Sequence, residues 1–395
     1  MKILMATAVP PDDHSGVAGT EYRTLLALRD LGHDVEAIWQ DGLRRRLRHG
    51  NLHYLLELPW AFRDAIAARC RTAAYDVIHV SQPYAWLAAR DHQRRRRPGV
   101  FVNRSHGWEP RIREALKPWR RRYDVPEWRF PRGVAGRPLQ WALHPYYRWC
   151  VQAADGVIVS CSEDRDYLVA RQGASASKVA CIPQAPAPVF VATAAPPMEA
   201  ARVRHVLYAG QAAFFKAPHV LAEVFSRLAA RQAGLRFTWC CPAEAHAACR
   251  RLLAGPARDQ VEFIGWLPQD ELVRLYDRHG IFVFPTFAEG FGKVFLEAMA
   301  RGLCVVASNT AGMRDVIRSG QTGWLAEPGD VDGLCRGIEL VLGAPDRALA
   351  MSAAAAETAR QYSWRRVAEE TTAFYRRLLA AKAAPSAAGG MQGAP

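Results

Sequence analysis

The sequence predicts an α/β protein with two doubly wound domains of parallel β-sheet. Short apolar segments typical of buried strands alternate with amphipathic helical segments, first over residues 1–185 and again over 204–363. Such alternation is typical of parallel sheets covered by helices. Between the two runs the chain is rich in Pro and Ala and has no hydrophobic period, which predicts a linker over residues 186–203.

The first run contains five predicted strands and one clear helix. The strands are KILMATAV, DVEAIW, DVIHVS, GVFVNRS and GVIVSCS, beginning at residues 2, 34, 76, 99 and 156. After the first strand, TEYRTLLALRDLGH predicts a helix from Thr20, with Leu25 and Leu28 at helical spacing and Gly32 at its end. The first domain therefore begins with a strand, a polar loop and a helix.

The second run repeats the pattern. Its predicted strands are HVLYAG, RFTWCC, VEFIGW, IFVFPT and CVVASN, and helices are expected near 218–231, 243–254, 269–279 and 292–301. Residues 364–382 predict a final amphipathic helix. The Ala- and Gly-rich tail, 383–395, is expected to be disordered.

Composition and cysteine spacing bear on the cellular compartment of the protein and on whether it could hold a zinc site. With 395 residues and 50% hydrophobic side chains, the chain can bury sizeable cores, yet no apolar run is long enough to predict a transmembrane helix. The N-terminus favours a buried strand over a signal peptide, since Asp12 and Asp13 follow its apolar run. The nine cysteines include no C-x2-C pair, which favours buried thiols in a reducing cytosol over a zinc site.

The positive charge is concentrated in the first half. Residues 41–150 contain 23 Lys and Arg against 9 Asp and Glu, which equals the net charge of +14 for the whole chain. One cluster, Arg44, Arg45, Arg46 and Arg48, precedes the apolar segment NLHYLLELPW. A solvated surface would account for these charges, and so would attraction to an anionic acceptor or an anionic membrane surface. Without a nucleic-acid-binding motif, we expect no nucleic-acid partner.

The most informative segment is AEGFG, which follows the predicted strand IFVFPT. Ligands of doubly wound sheets bind at the carboxyl ends of strands, where this loop lies. Gly290 and Gly292 allow close backbone approach, and the helix that follows offers free N–H groups suited to phosphate. Glu289 in the loop and Glu297 in the helix add carboxylates that accept hydrogen bonds from hydroxyls. The pattern predicts a nucleotide-sugar site, although Glu297 alone is equally typical of a buried ion pair.

The segment FAEGFGKVFLEAMARGLCVVASNTAGMRDVIRSGQTGWLAEPGD resembles the donor site of the retaining glycosyltransferases of family 4. The resemblance extends along nearly the whole chain and is strongest over residues 205–335. It implies the GT-B fold, in which two Rossmann-like domains face a central cleft and a C-terminal helix crosses back to the first domain. Residues 364–382 would be that helix.

The resemblance also implies roles in the second domain. Glu289 would bind sugar hydroxyls, Glu297 the ribose, and Lys216 the diphosphate, whereas Gln211 occupies the position of a second diphosphate-binding cation, usually Arg. The loss of that cation leaves a catalytically silent sugar-nucleotide-binding scaffold as an alternative to an active enzyme. The remaining expected donor contacts are the backbone of Gly290, Phe291, Gly292, Lys293 and Val294, and Trp266 and Leu267 beside the base.

In the first domain, SGVAGTE resembles the Gly-rich first loop of the family, and NRSHGWE its His-Gly segment. Gly16 and Gly19 would lie near the diphosphate and the acceptor, although an ordinary strand-to-helix turn would also need glycine. His106 would face the reacting sugar. We therefore expect His106, Lys216 and Glu289 to act in catalysis.

The expected function is retaining transfer of a hexose-type sugar from a nucleoside diphosphate-sugar to a hydroxyl acceptor. The resemblance implies bacterial polysaccharide, glycolipid or lipid-linked glycan assembly, with glycosylation of a natural product as an alternative. No metal or other cofactor is expected. We expect a cytoplasmic protein that visits the inner face of the membrane through Arg44, Arg45, Arg46 and Arg48.

Overall fold

Two parallel β-sheets of six strands each form the framework of the chain. The structure is a computed structural model that describes residues 1–13, 16–48, 50–81, 83–127 and 132–384. The first sheet contains β1 (Lys2–Ala6), β2 (Asp34–Ile38), β3 (Val77–Ser81), β4 (Val100–Arg104), β5 (Gly156–Val159) and β6 (Val179–Cys181). The second contains β7 (His205–Ala209), β8 (Arg236–Cys240), β9 (Val261–Ile264), β10 (Ile281–Phe284), β11 (Cys304–Ser308) and β12 (Trp324–Ala326).

Helices connect the strands. Those associated with the first sheet are α1 (Gly16–Asp30), α2 (Gly50–Leu52), α3 (Leu58–Thr72), α4 (Trp86–Arg94), α5 (Glu109–Arg122), α6 (Arg132–Ala153) and α7 (Ser162–Gln172). Those that follow are α8 (Ala200–Val203), α9 (Pro218–Arg231), α10 (His246–Leu252), α11 (Ala257–Gln260), α12 (Gln269–Asp277), α13 (Lys293–Ala300), α14 (Ala311–Val316), α15 (Val331–Gly343), α16 (Pro345–Arg360) and α17 (Trp364–Ala383). A π-helical turn, His53–Glu57, joins α2 to α3.

Strand order creates a switch point in each sheet. The orders are β2-β1-β3-β4-β5-β6 and β12-β11-β10-β7-β8-β9, with every pairing parallel. Connections run in opposite directions on either side of β1/β3 and of β10/β7, so a crevice opens at the carboxyl ends of each pair. The predicted fold class is confirmed, and all ten predicted strands are present. The strands that the sequence did not reveal, β6 and β12, have three residues each.

The final helix, α17, crosses back to the first sheet as expected. A Cβ added to Gly156 of β5 would lie 2.5 Å from Leu378 and 2.7 Å from Phe374, so glycine allows the helix to pack directly on the strand. The helix extends to Ala383, one residue into the segment predicted to be disordered. The remainder of that tail, 385–395, lies outside the described residues.

The segment between the sheets has more structure than the linker prediction implied. Residues 186–203 include a 3-10 turn, Pro188–Phe190, and the short helix α8. Phe190 is buried in the core of the second sheet, where it makes an edge contact with Tyr276. The segment connects β6 to β7 and also closes part of the second core.

Candidate active site

Lys216 and Glu289 meet at the switch point of the second sheet. Lys216 ends the 3-10 turn after β7, and Glu289 lies in the loop after β10. Their side chains form an ion pair, and only 12% and 13% of the two side chains is exposed. The Lys216 ammonium also lies 4.7 Å from the ring centroid of Phe284. The structure therefore brings these two predicted catalytic residues together.

The AEGFG loop is shaped by its glycines. Gly292 precedes α13 with φ of 87°, which a side chain would strain. A Cβ on Gly290 would lie 1.9 Å from the backbone oxygen of His106. The donor loop of the second domain is thus in backbone contact with the His-Gly segment of the first, and Lys293 and Val294 follow at the start of α13.

Glu297 lies deeper than its predicted role in ribose binding suggested. It is 7% exposed and accepts a hydrogen bond from the backbone of Ala187. Burial raises its pKa, against the opposing effects of the Lys293 charge and the Ala187 hydrogen bond. Its carboxylate lies beside the interdomain segment, and its predicted contact with the ribose stays a prediction.

The first-domain glycines belong to a helix, which corrects the prediction of a Gly-rich loop. Gly16 and Gly19 form the first turn of α1, four residues before the predicted start. A Cβ at Gly19 would lie 2.9 Å from the Asp13 backbone oxygen, so the approach of that backbone requires glycine. The Gly16 oxygen accepts a hydrogen bond of 3.1 Å from Lys293 Nζ across the cleft.

His106 is buried at the junction of the two domains. Its Nε2 lies 2.6 Å from Oε1 of Glu21 on α1. Its side chain is 8% exposed, and burial lowers the pKa of the imidazole despite the adjacent carboxylate. Glu21 was not among the predicted site residues, because a single Glu within a helical pattern resembles an ordinary surface residue.

The other predicted donor contacts have differing environments. Gln211 is exposed, and its backbone oxygen accepts a hydrogen bond of 2.8 Å from the Tyr208 hydroxyl. Trp266 is 57% exposed, whereas Leu267 and Val294 pack partly against the second core. Phe291 is buried, and its predicted backbone contact with the donor stays a prediction.

Arg111, on α5, is a further cleft residue that the sequence did not reveal. It is 9% exposed and binds Asp164 and Glu163 of α7, the latter at 2.7 Å. Its guanidinium also donates to the backbone oxygen of Glu289. Arg111 could not be recognised from the local sequence, because its partners are about 50 and 180 residues away.

Two further contacts hold the domains together beside Glu289. Trp119 of α5 stacks on Phe287 with ring centroids 4.6 Å apart. Glu163 accepts a hydrogen bond of 3.0 Å from the Thr310 hydroxyl and pairs with Arg314 at 3.0 Å. The cleft is closed on this side by packed aromatic rings and ion pairs.

The predicted anionic-surface cluster lies beside an exposed apolar stretch. Arg44, Arg45, Arg46 and Arg48 are all exposed. Glu57 accepts hydrogen bonds from the backbone of Arg46 and Leu47 and lies 3.6 Å from the Arg44 guanidinium. The exposed apolar side chains nearby in sequence are Leu52, Tyr54, Leu56 and Trp60, and α6 adds Trp141, which is 82% exposed.

The described residues contain neither a membrane-spanning helix nor a metal-binding cluster. None of the helices is apolar enough over sufficient length to span a bilayer. No group of three His, Cys, Asp or Glu side chains is arranged to hold a metal ion in this part of the chain.

Fold and site together define a GT-B protein, with the AEGFG loop and the His-Gly segment in contact at the cleft. The profile described as "Glycosyltransferase Family 4" matches residues 15–185, and "Glycosyl transferases group 1" matches residues 203–343. Between them they span both domains. The chain belongs to the family 4, or group 1, glycosyltransferases.

Relatives share the fold and parts of the sequence. The chain is 29% identical over 248 residues to a D-inositol 3-phosphate glycosyltransferase of Kribbella flavida, covering 57% of each. It is 33% identical over 124 residues to the O-antigen chain mannosyltransferase B of Escherichia coli, covering 31% of this chain and 32% of that one. The matched regions thus span one third to just over half of these relatives.

Solved structures extend the likeness of fold to the whole chain. The sucrose-phosphate synthase of Thermosynechococcus elongatus has a TM-score of 0.72 at 19% identity, covering 96% of this chain and all of that one. The Anabaena protein HepE, solved in complex with UDP, has a TM-score of 0.65 at 17% identity, covering 94% and 99%.

Proposed function

We propose that this chain transfers a hexose-type sugar, with retention at the anomeric carbon, from a nucleoside diphosphate-sugar to a hydroxyl acceptor. The observation that carries the proposal is the Lys216–Glu289 ion pair at the switch point. An ionised carboxylate there can accept hydrogen bonds from sugar hydroxyls, while the adjoining ammonium faces a diphosphate. The family assignment and the contact between His106 and the Gly290 loop support the same interpretation.

The reaction that we propose proceeds on one face of the sugar. The acceptor oxygen bonds to the anomeric carbon as the bond from that carbon to the diphosphate oxygen breaks, and the acceptor proton passes to the departing diphosphate. Lys216, Lys293 and the N-terminus of α13 would stabilise the negative charge on the leaving group. No metal ion or other cofactor is part of this proposal.

The acceptor that we propose is a glycan or lipid-linked hydroxyl compound. One relative is named for action on D-inositol 3-phosphate, an anionic polyol, and another for extension of an O-antigen chain. Both names fit an acceptor that is rich in hydroxyls. The charge of residues 41–150 favours an anionic acceptor of this kind.

A thermal-shift panel tests the donor half of the proposal. UDP-, GDP-, ADP- and dTDP-sugars would be added to the wild type, to Glu297→Ala and to Glu223→Ala, which changes a partly exposed Glu of α9 that pairs with Arg227. A ligand that binds the folded state raises its apparent melting temperature. We expect a shift with one base, lost in Glu297→Ala and kept in Glu223→Ala. Donor binding without sugar transfer to any acceptor would favour the catalytically silent scaffold, and no shift with any donor would count against both.

We also propose that the protein visits an anionic membrane surface. The exposed set Leu52, Tyr54, Leu56, Trp60 and Trp141, here called the apolar patch, supports this. Tyr146 of α6 donates a hydrogen bond of 2.7 Å to the Leu55 backbone oxygen, so α6 packs on the helical segment that bears the other patch residues. Arg45, Arg46 and Arg48 have no ion-pair partner among the described residues, so their charges are available to lipid phosphates.

A further inference from the structure

Glu21 is a buried carboxylate between two histidines, one in β3 and one in the loop after β4. It is 1% exposed, on the second turn of α1. Its Oε1 lies 2.6 Å from His106 Nε2, and its Oε2 lies 3.9 Å from Nε2 of His79, a residue of β3. A buried charge is costly unless neighbours compensate it, so this convergence requires an explanation.

Glu21 determines which ring nitrogen of His106 carries the proton. Burial favours a protonated Glu21, but the hydrogen bond from His106 and the nearby charges outweigh it and lower the pKa of Glu21 to about 2. A carboxylate only accepts hydrogen bonds, so the proton between the two groups belongs to His106 Nε2. Burial also lowers the pKa of His106, which favours the neutral ring. In a neutral ring with its proton on Nε2, the Nδ1 atom is an acceptor.

The Nδ1 atom of His106 has no hydrogen-bond partner among the described residues, although it is inaccessible to water. The backbone of the same residue abuts Gly290 in the donor loop. Nε2 of His79 and two guanidinium nitrogens of Arg104, in the same group, also lack a partner among the described residues. His106 differs from them because its backbone abuts the AEGFG loop, so its Nδ1 is the atom of the group that is placed to accept a hydrogen bond from a hydroxyl of a ligand.

The network continues behind Glu21 into the C-terminal helix. His79 Nδ1 forms a hydrogen bond with the hydroxyl of Tyr375 on α17. Arg104, which is fully buried, donates a 3.2 Å hydrogen bond to the Thr24 hydroxyl, and its positive charge favours ionised Glu21. The carboxylate is therefore supported by β3, β4 and α17.

We propose that Glu21 is a positioning residue, which holds His106 with its proton on Nε2 so that Nδ1 accepts a hydrogen bond from a hydroxyl of the transferred sugar. The inference rests on the proposed function, since the hydroxyl belongs to the substrate of that reaction. Glu21 touches no substrate itself and acts through the orientation and tautomer of the imidazole.

Kinetics on Glu21→Gln test the positioning role. We expect kcat to fall about 100-fold, the scale for groups that orient a reacting side chain, while the donor KM changes less than about threefold. The double variant with His106→Ala should be no slower than His106→Ala alone, because Glu21 acts only through that ring. Additive losses would overturn the proposal.

Two further variants separate positioning from folding. Glu21→Asp keeps the charge but withdraws it from the ring, and we expect a similar loss of kcat. Glu36→Gln is the matched control, because Glu36 lies in the same domain and accepts a hydrogen bond of 2.8 Å from Tyr75 away from His106. It should retain the wild-type rate. Full activity of both Glu21 variants would overturn the proposal.

A spectroscopic measurement tests the position of the His106 proton without requiring enzyme turnover. In protein labelled with ¹⁵N-histidine, the His106 signals, assigned by their loss in His106→Ala, should show a proton on Nε2 in the wild type and a changed tautomer or exchange in Glu21→Gln. A proton on Nδ1 in the wild type would overturn the inference even if the enzyme is active. If no donor is turned over, the proposed function fails, and this spectrum still decides whether Glu21 positions the ring.

Discussion

Lys216 and Glu289 are 73 residues apart in sequence and form an ion pair in the cleft. The pairing joins the loop after β7 to the loop after β10, where the two halves of the second sheet diverge. Each group compensates the charge of the other. A ligand that binds here therefore contacts both charged side chains together.

We expect Glu289→Gln and Lys216→Met each to lower kcat/KM about 100-fold or more, because each leaves its partner uncompensated. Losses of groups that act as a unit are not additive, so the double variant should be no more than about tenfold slower than the worse single variant. Release of nucleoside diphosphate measures the rate, with Glu223→Gln as the control. Full turnover by Glu289→Gln would contradict the proposed function.

Lys293 offers a second cation in place of the one that Gln211 lacks. Its ammonium reaches Gly16 of the first domain and has no carboxylate within ion-pair distance among the described residues. We expect Lys293→Met to lower kcat/KM about 10- to 100-fold and Gln211→Arg to restore part of that loss. If Gln211→Arg raises kcat/KM of the wild type by the same factor as it raises kcat/KM of Lys293→Met, the two positions do not substitute for each other.

The apolar patch predicts binding to anionic vesicles. We expect sedimentation with phosphatidylglycerol vesicles but not with phosphatidylcholine vesicles, weakened by salt, since charge and apolar insertion act together. The double variant Leu56→Ser/Trp60→Ser should lower the bound fraction several-fold. Leu349→Ser, at an equally exposed leucine of the second domain, should not. Equal binding to both lipids would argue against the proposed surface.

Buried histidines predict weaker stability in mild acid. Burial lowers the pKa of His79 and of His279 to about 4, below the unfolded value of 6.5, so both take up protons on unfolding between these values. Stability is then complete above pH 6.5 and falls as the pH drops towards 4, by on the order of 3 kcal/mol for each group. Calorimetric melting temperatures at pH 7 and 5 measure the loss, and His279→Gln should reduce the difference. Equal melting temperatures at both pH values in the wild type would contradict this assignment.

The sequence predicted the parts of the fold that leave local patterns. Strands such as IFVFPT have continuous apolar runs bounded by turn residues, and α17 has a clear helical period. Short strands such as β12 were missed because three residues are too few to define a period. The π-helical turn at His53–Glu57 was likewise not predicted, because this conformation is rare and has no local sequence pattern.

The predicted site was drawn mainly from one segment. The glycines of AEGFG and its carboxylate, Glu289, predicted a ligand loop, and that loop lies at the switch point of the second sheet. Glu21 and Arg111 were missed because their partners are distant in sequence. The conformation of Glu297 could not be predicted either, because its partner, Ala187, lies in a segment that was expected to lack structure.

Helix α17 has a consequence for how the protein is made. Tyr375, near the end of the chain, completes the hydrogen-bonded group behind Glu21, and Phe374 and Leu378 cover Gly156 in the first sheet. A ribosome therefore synthesises the strands of the second sheet before it synthesises the helix that completes the first domain. Until α17 emerges, a nascent chain lacks the groups that cover this side of the first sheet and that complete the hydrogen bonds of His79.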